Sequence, residues 1–295
     1  MPSSYTPSDL KQWAAEIQTS RSRLSEVTPS IRAMFYGISG TGKTVAALQL
    51  CKMLGFRNVQ YFESAENWIS VINHPTLYSW AREAVTVNQF SELVQFEKTY
   101  RLIASRYGDY ADVDCVIFDE ASTMARRDQD FVLDRSVANN PEKYQDNPDS
   151  ADWPIYNASN NRFRRSVARF SEIPGLSIIL VAHEQDRKLK SGLYQVQPAF
   201  APELGPELRG PLHLVARFTN DIKMVDQAPV YDRIAQCWPT KAVIAKSRIG
   251  DLGYKMSVMD MLATIKAWYA NGSAPVAAAP MIPVDDQFVI DPDEH

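Results

Sequence analysis

Cysteine is scarce in this sequence. The chain of 295 residues contains three cysteines, Cys51, Cys115 and Cys237, and no two of them form a CxxC pair. An odd number of widely separated cysteines argues against a disulfide framework and against a structural zinc site. Because free thiols persist in a reducing compartment, we expect a cytoplasmic protein.

Long apolar runs are missing as well. A transmembrane helix needs about 20 mostly apolar residues, and the sequence contains no run of that kind. The first residues, MPSSYTPSDLKQW, lack the basic region and the apolar segment that form a secretory signal. The sequence therefore predicts neither a membrane span nor secretion.

A strong net charge is also absent, although the charge is unevenly distributed. The formal net charge is −4, but the last 25 residues hold five acidic residues and no lysine or arginine. Without them the chain has 31 basic and 30 acidic residues, a net charge of +1. A site for a polyanion would therefore have to be a local basic patch.

What the chain does contain is a glycine-rich loop. Residues 37–44 read GISGTGKT, between IRAMFYG, which predicts a buried strand, and KTVAALQLCKML, which predicts a helix. A G-x-x-x-x-G-K-[ST] match between a strand and a helix predicts a phosphate loop that binds ATP. Lys43 would reach the β- and γ-phosphates, and Thr44 would contact Mg²⁺. The predicted binding residues are Gly37, Ser39, Gly40, Thr41, Gly42, Lys43 and Thr44.

Acidic residues near the ends of two predicted strands supply candidates for the chemistry. Asp119, at the end of CVIFDE, is the expected carboxylate of the Mg²⁺ shell. Two residues compete to orient or activate water: Glu120, which follows Asp119, and Glu66 in YFESAEN. We expect the strand before Glu66 to neighbour the phosphate-loop strand, which would bring Glu66 to the ligand-binding edge of the sheet. Either glutamate is otherwise a solvated loop residue.

Alternating strand and helix patterns predict the architecture. Apolar runs at 59–63, 114–120, 176–184, 220–226 and 240–246 predict strands, and helical patterns lie between several of them. We therefore expect an α/β fold with a mostly parallel sheet covered by helices on both faces. The predicted units are a short N-terminal helix and linker over 1–30, a core over 31–270, and a flexible, disordered acidic tail over 271–295.

Five motifs in this order resemble a RecA-like P-loop ATPase, and in particular the phage-type single-strand annealing recombinases. They are GISGTGKT, FESAEN, CVIFDE, IILVAHE and AVIAKSR, within about residues 31 to 270. The resemblance implies that Glu66 is the catalytic glutamate and that His183 contacts the γ-phosphate, although a lone histidine is often structural. It also implies a homo-oligomer or filament with ATP at subunit interfaces, reached by Lys246 and Arg248 of a neighbour.

The sequence departs from the RecA pattern at three points. Glu120 stands where RecA has a small residue, His183 replaces a glutamine, and no separate DNA-binding domain is apparent. These departures bear on filament formation and strand exchange more than on ATP binding. A basic pair such as Lys246 and Arg248 is also compatible with an ordinary solvated surface.

Residues 185–210 are the candidate DNA-binding segment. They predict a long loop with few periodic apolar positions, and such loops are either functional or simply solvated. Basic side chains there would meet phosphates and aromatic rings would stack on bases of single-stranded DNA. The candidates are Arg187, Lys188, Lys190, Tyr194, Phe200 and Arg209. A second basic stretch, NRFRRSVARF at 161–170, predicts the outer face of an amphipathic helix or a further DNA contact.

These features together predict an ATPase that is stimulated by single-stranded DNA and promotes strand annealing or homologous recombination. The alternatives are a helicase-like or loader P-loop ATPase and a nucleotide-gated binding module with little turnover. The acidic tail, which ends in PVDDQFVIDPDEH, would recruit a single-strand-binding or replication protein, restrain DNA binding, or only keep the chain in solution.

Overall fold

A central sheet of nine strands organises the protein. The computed structural model describes residues 30–64, 67–144, 153–201, 204–225, 228–250 and 252–271. The predicted N-terminal helix, Glu66 and the acidic tail beyond residue 271 lie outside the described residues. Eight strands follow one another in the order β11-β9-β8-β1-β5-β4-β2-β3, and β10 pairs with β8.

The parallel part of this sheet is built from short, buried strands. Nearly every position of β1, β2, β4 and β5 is buried and most of their residues are apolar, because such strands are covered on both faces. All pairings from β8 through β1, β5, β4 and β2 to β3 are parallel. The strands are β1 Arg32–Gly37, β2 Val59–Glu63, β3 Val85–Gln89, β4 Cys115–Phe118 and β5 Ser177–Ala182.

The antiparallel part includes a long hairpin of β8 and β9. β8 pairs with β1 only as far as Phe218, and β9 pairs with β11 only from Ile234 onward. The rest of the hairpin therefore runs as two strands past the carboxyl end of β1. These strands are β8 Leu214–Val225, β9 Ala228–Gln236, β10 Lys246–Ser247 and β11 Lys255–Ser257.

A separate hairpin follows β5 directly. β6 Glu184–Lys188 and β7 Tyr194–Pro198 pair in antiparallel fashion, and helix α7 Leu204–Arg209 comes next. The prediction of a long loop over 185–210 is therefore wrong. Its signal was weak because EQDRK is polar throughout and lacks the alternation that marks a half-buried strand.

Helices cover both faces of the sheet, and each face has its own apolar core. One core includes Leu50, Leu262 and Ile265; the other includes Phe96, Phe163 and Phe170. This arrangement confirms the predicted α/β fold of RecA-like P-loop type. The other helices are α1 Lys43–Met53, α2 Ile69–Ile72, α3 Pro75–Ala84, α4 Val94–Ala104, α5 Ala121–Asn139, α6 Trp153–Ser171 and α8 Val258–Ala270, with 3-10 turns at Gly108–Tyr110 and Pro141–Tyr144.

Two expectations about strands need correction. β2 does not neighbour β1, because β5 and β4 lie between them. The run TKAVIAK is not a strand along its length: only its last residue, Lys246, belongs to β10. Residues 121–139 and 153–171, which carry no clear sequence signal as a whole, are helices. In the part of the chain that the structure describes, no helix is long and apolar enough to cross a membrane.

Candidate nucleotide site

The phosphate loop joins β1 to α1 and depends on glycine at its first position. Gly37 has a φ of 155°, and a Cβ atom there would lie 2.3 Å from the carbonyl oxygen of Phe218. Since no side chain fits at that distance, β8 and the loop approach as closely as they do only because residue 37 is glycine. Within the loop, Thr41 Oγ1 donates to the carbonyl oxygen of Ile38 at 2.9 Å.

The Lys43 ammonium is held by the loop itself. Its Nζ donates to the carbonyl oxygens of Gly37 at 3.0 Å and Ile38 at 2.7 Å. Burial lowers the pKa of Lys43, while the charge of Asp119 acts in the opposite direction. Carbonyl oxygens are neutral partners, so an anionic phosphate would compete well for this ammonium.

Asp119 lies buried directly after β4 and accepts hydrogen bonds from two side-chain hydroxyl groups. Thr44 Oγ1 donates to Asp119 Oδ2 at 2.9 Å, and the Tyr61 hydroxyl donates to the same oxygen. Burial raises the pKa of Asp119, and these two bonds work against that shift. Mg²⁺ prefers oxygen ligands, and the Thr44 hydroxyl lies beside the Asp119 carboxylate. The two predicted residues therefore fit that ion. Tyr61 was not anticipated, because nothing local marks a strand tyrosine as a partner of Asp119.

Glu120 and His183 meet beside this pair. His183 Nε2 lies 3.3 Å from Glu120 Oε1, and Ser64 Oγ donates to Glu120 Oε2 at 3.1 Å. The hydrogen bond with His183 is the main reason why the pKa of Glu120 is lowered to about 2. Glu120 has a φ of 59° and a ψ of 43°, a left-handed conformation that is uncommon for glutamate and typical of functional sites. Of the two competing glutamates, Glu120 lines the site. Glu66 lies outside the described residues, so the choice between the two stays a prediction.

A cavity of about 480 Å³ brings these groups together. That volume is in the range of small-molecule sites. Eight of the predicted residues line it: Ser39, Gly40, Gly42, Lys43, Thr44, Asp119, Glu120 and His183. Sequence reasoning missed several others, because they come from α2, its flanks and β9: Asn67, Ser70, Asn73, His74 and Arg233.

Lys246 and Arg248 lie away from this cavity. The backbone N–H of Arg248 donates to His213, whose own N–H donates to Arg32 at the start of β1. The phosphate loop follows the other end of β1, six residues further on, and a strand of that length spans roughly 20 Å. Lys246 Nζ donates to the carbonyl oxygens of Arg209 at 2.9 Å and Gly210 at 2.7 Å. Neither residue therefore contributes to the site of its own chain.

The predicted DNA-binding residues separate into two groups. Arg187, Lys188 and Lys190 are exposed, and Tyr194 is 62% exposed, on or next to the β6–β7 hairpin. Phe200 is only 4% exposed.

The expectation that Phe200 stacks on bases is wrong. Its ring lies 6.4 Å from the ring of Phe163 within the core. Arg209 is half-buried at the end of α7, and burial lowers its pKa. The structure therefore leaves the hairpin residues open to a ligand, buries Phe200, and exposes only part of Arg209.

The basic stretch 161–170 lies in α6 and is occupied by structural contacts. Arg162 pairs with Asp128 at 3.2 Å, and Arg169 pairs with Glu97. Phe163, Val167 and Phe170 face the core from the same helix. This pattern is that of a charged outer face on an amphipathic helix.

The core is that of a P-loop nucleoside triphosphatase. Its parts are a buried strand, a glycine-rich loop, a helix that begins with Lys43, and a second buried strand directly followed by Asp119. A family model described as an AAA domain matches residues 30–249, and the chain belongs to this family.

Solved structures resemble the chain at low identity. The RadB recombinase is 16% identical with a TM-score of 0.43, covering 79% of this chain and 88% of that one. A prototypical ATPase from the type III secretion system of pathogenic bacteria is 13% identical with a TM-score of 0.42; 65% of this chain is covered, and the chain spans 52% of the length of that ATPase. No curated protein matches the sequence.

Proposed function

We propose that the protein is an ATP-dependent, single-stranded-DNA-binding ATPase of RecA-like type that promotes strand annealing or homologous recombination. The observation that carries this proposal is the position of His183. Its side chain contacts Glu120 in the nucleotide site, and the next residue, Glu184, begins the β6–β7 hairpin. One residue thus separates the ATP side of the protein from an exposed basic hairpin.

The chain's own groups suit ATP hydrolysis. Backbone N–H groups of the loop would cradle the phosphates, and the Lys43 ammonium would leave its two carbonyl partners for the β- and γ-phosphates. Glu120 would orient the attacking water; because its pKa is about 2, it would hold the water by a hydrogen bond rather than as a strong base. His183 would exchange its contact with Glu120 for one with the γ-phosphate.

Thr44 and Asp119 would hold Mg²⁺, the Asp119 carboxylate through water. When bound, that ion neutralises charge on the β- and γ-phosphates. The Asp119 carboxylate stays positioned by the hydroxyls of Thr44 and Tyr61. Because both hydroxyls donate to the carboxylate, they favour the ionised form of Asp119, which is the form that would hold Mg²⁺.

The β6–β7 hairpin has the chemistry of a single-strand contact. Arg187 and Lys188 are exposed on β6, and Lys190 and Tyr194 are exposed close to the turn. Cations near an exposed ring suit a polynucleotide whose bases are unpaired, because phosphates meet the charges and any base can stack on the ring.

An ion pair fixes the base of this hairpin to the main sheet. Arg217 of β8 donates to both carboxylate oxygens of Glu184, at 2.9 Å and 3.1 Å. A bidentate pair of this kind restrains orientation as well as distance. A change at His183 would therefore act on a hairpin with a defined starting position, and ordering of such a segment is a common form of switching.

The positions of Lys246 and Arg248 bear on assembly. Lys246 and Arg248 lie at the amino end of β1, away from the phosphate loop of their own chain. If these cations act on ATP, as the RecA resemblance implies, they act on the ATP of a neighbouring copy. We therefore propose a head-to-tail homo-oligomer or filament with ATP between subunits. The acidic tail, outside the described residues, is a further proposed contact for a single-strand-binding or replication protein.

The test is steady-state ATP hydrolysis by the full chain with and without single-stranded DNA. We expect stimulation by single strands, loss of all turnover in Lys43→Ala, and loss of stimulation alone in the combined variant Arg187→Ala, Lys188→Ala and Lys190→Ala. The control is the combined variant Arg126→Ala and Arg135→Ala, which removes two exposed arginines of α5.

Each outcome has a definite meaning. An ATP hydrolysis rate that is the same with and without single-stranded DNA would point to a P-loop enzyme with another substrate. Turnover that is stimulated but unaffected by the hairpin variant would leave the ATPase and overturn the hairpin as its DNA contact. Absence of turnover together with tight ATP binding would favour a nucleotide-gated binding module.

A further inference from the structure

Arg233 lies where the β8–β9 hairpin leaves the sheet. It pairs in register with Asn220 of β8, two residues beyond the last residue of β8 that pairs with β1. Its neighbour Ile234 is the first residue of β9 that pairs with β11. Arg233 is thus the last residue of the projecting part of β9, where the strand enters the sheet, beside the loop that follows β1.

The Arg233 side chain lies across Gly42. A Cβ atom built on Gly42 would be 2.9 Å from each of Cδ, Nε and Cζ of Arg233. Gly42 has a φ of 83° and precedes the first residue of α1, Lys43. The guanidinium therefore covers the backbone at the point where the phosphate loop becomes a helix, and glycine is what permits this approach.

Arg233 also separates two cavities. It lines the nucleotide cavity of about 480 Å³ and a second cavity of about 400 Å³ formed with Val45, Gln49 and Met259. The side chain is exposed, and no ion pair or side-chain hydrogen bond joins it to another described residue. An arginine with free donors beside a phosphate loop is poorly explained as a structural residue, because five N–H groups are left for water or a ligand.

We propose that Arg233 is a nucleotide-binding residue that clamps the α- and β-phosphates from the same chain. This inference rests on the proposed ATP site. The loop amides around Gly42 are those that cradle the α- and β-phosphates in phosphate loops, whereas the γ-phosphate lies toward Lys43 and the strand-end carboxylate. A planar guanidinium binds two phosphate oxygens at once, which an ammonium cannot do.

The assignment predicts equal effects on di- and triphosphate. Since both nucleotides carry α- and β-phosphates, Arg233→Ala should weaken ATP and ADP binding by a similar factor, about 10- to 100-fold for loss of a charge-assisted contact. Arg233→Gln, which retains a polar side chain and loses the charge, should weaken both to the same degree. Arg233→Lys should have an intermediate effect, because a point charge replaces the two-pronged donor.

The experiment is calorimetric titration of the full chain with MgATP and with MgADP. Variants at 233 are compared with wild type, Lys43→Ala and Arg57→Ala. Arg57 is an exposed arginine whose side chain forms no hydrogen bond or ion pair with another described residue. Circular dichroism checks that each variant is folded; Arg233→Gln serves if Arg233→Ala is not.

The possible results are distinct. Equal weakening of both nucleotides by changes at 233, with Arg57→Ala unchanged, supports the clamp. Weakening of ATP alone overturns it, because the contact would then be to the γ-phosphate. Unchanged affinities in the 233 variants, or the same loss in Arg57→Ala, also overturn it while the ATP site stands. If wild type binds neither nucleotide, the proposed function fails, and the clamp fails with it.

Discussion

At the scale of single residues, Glu120 combines an unusual backbone with an unusual acidity. Its left-handed conformation turns the carboxylate toward His183 and Ser64. Its pKa of about 2 is below the ordinary value of about 4.3 for glutamate. Because the pKa of Glu120 is lower in the folded protein than in the unfolded chain, its ionised carboxylate stabilises the folded state. This contribution is complete above the unfolded pKa of about 4.3 and is lost as the pH falls toward 2.

The pH dependence of Glu120→Gln follows from this. The carboxylate is ionised throughout the range from about pH 6 to 9, so Gln should lower ATP turnover by about 100-fold at every pH in that range. The measurement is a pair of pH–rate profiles, with Glu66→Gln assayed beside them. A loss in Glu66→Gln alone would assign the water-orienting role to Glu66.

Two aromatic residues of the same segment should respond in opposite ways. Phe200 is packed in the core and Tyr194 is exposed. Phe200→Ala should lower the free energy of unfolding by about 3–5 kcal/mol, as measured by denaturant titration.

Tyr194→Ala should leave stability within about 0.5 kcal/mol of wild type. It should instead weaken single-strand binding by about 1–3 kcal/mol, the cost of one lost base stack. Fluorescence anisotropy with a labelled oligonucleotide measures this. Equal DNA affinities for Tyr194→Ala and wild type would remove Tyr194 from the contact.

At the scale of elements, the β6–β7 hairpin carries charge without burying much of itself. It contributes little to either core, and its orientation relies on contacts at its base such as Glu184 with Arg217. Glu184→Gln should lower the free energy of unfolding by about 1–2 kcal/mol, because one charge of a partly buried pair loses its partner. Thermal unfolding checks this, with Asp186→Asn on the same strand as the exposed control.

The salt dependence of DNA binding reports the number of hairpin cations that meet phosphates. For single strands the slope of log affinity against log salt changes by about 0.7 for each phosphate contact. Removing Arg187, Lys188 and Lys190 should therefore make the slope shallower by about 2. An unchanged slope with weaker binding would mean that the three cations act indirectly.

Local sequence patterns were enough to predict some elements and not others. The strands around the phosphate loop and Asp119 are continuous apolar runs, because both of their faces are buried. β3 and β6 are half-exposed or polar, so their sequences carry no comparable signal. The order of strands is a property of the whole chain, which is why β2 was expected beside β1 and is not.

Some residues of the candidate site could be predicted from local motifs, and others could not. Its loop, Asp119, Glu120 and His183 follow from motifs whose parts are close in sequence to the elements that hold them. Arg233 reaches Gly42 from a strand about 190 positions later, and only the register of the β8–β9 hairpin brings the two together. Tyr61 is hidden for the same reason.

At the scale of the whole molecule, the two ends of the parallel sheet carry different groups of functional candidates. The nucleotide cavity lies at the carboxyl end, and Lys246 and Arg248 lie toward the amino end. Two copies stacked end to end about a twofold axis would present like ends to each other. A copy placed head to tail would instead bring its cations to its neighbour's ATP.

Mixing two inactive variants tests this arrangement. Lys43→Ala lacks a working phosphate loop, and Arg248→Ala lacks the proposed cation. In an equal mixture, about a quarter of the contacts would join an intact loop to an intact Arg248. We expect the mixture to recover a corresponding part of the wild-type ATP turnover. A mixture as inactive as its components would mean that Arg248 does not act between copies.

The phosphate loop and Arg248 lie at opposite ends of β1, so in the proposed assembly the ATP turnover per copy depends on protein concentration. An open row of n head-to-tail copies has n − 1 junctions, since the last loop faces no neighbour, whereas a closed ring of n copies has n. In the proposed arrangement, an isolated copy would turn over no ATP, a pair would have one working junction, and the rate per copy would rise toward a limit as rows lengthen. Dilution would switch such an enzyme off, and a DNA strand that gathers copies along its length would switch it on without altering any single site.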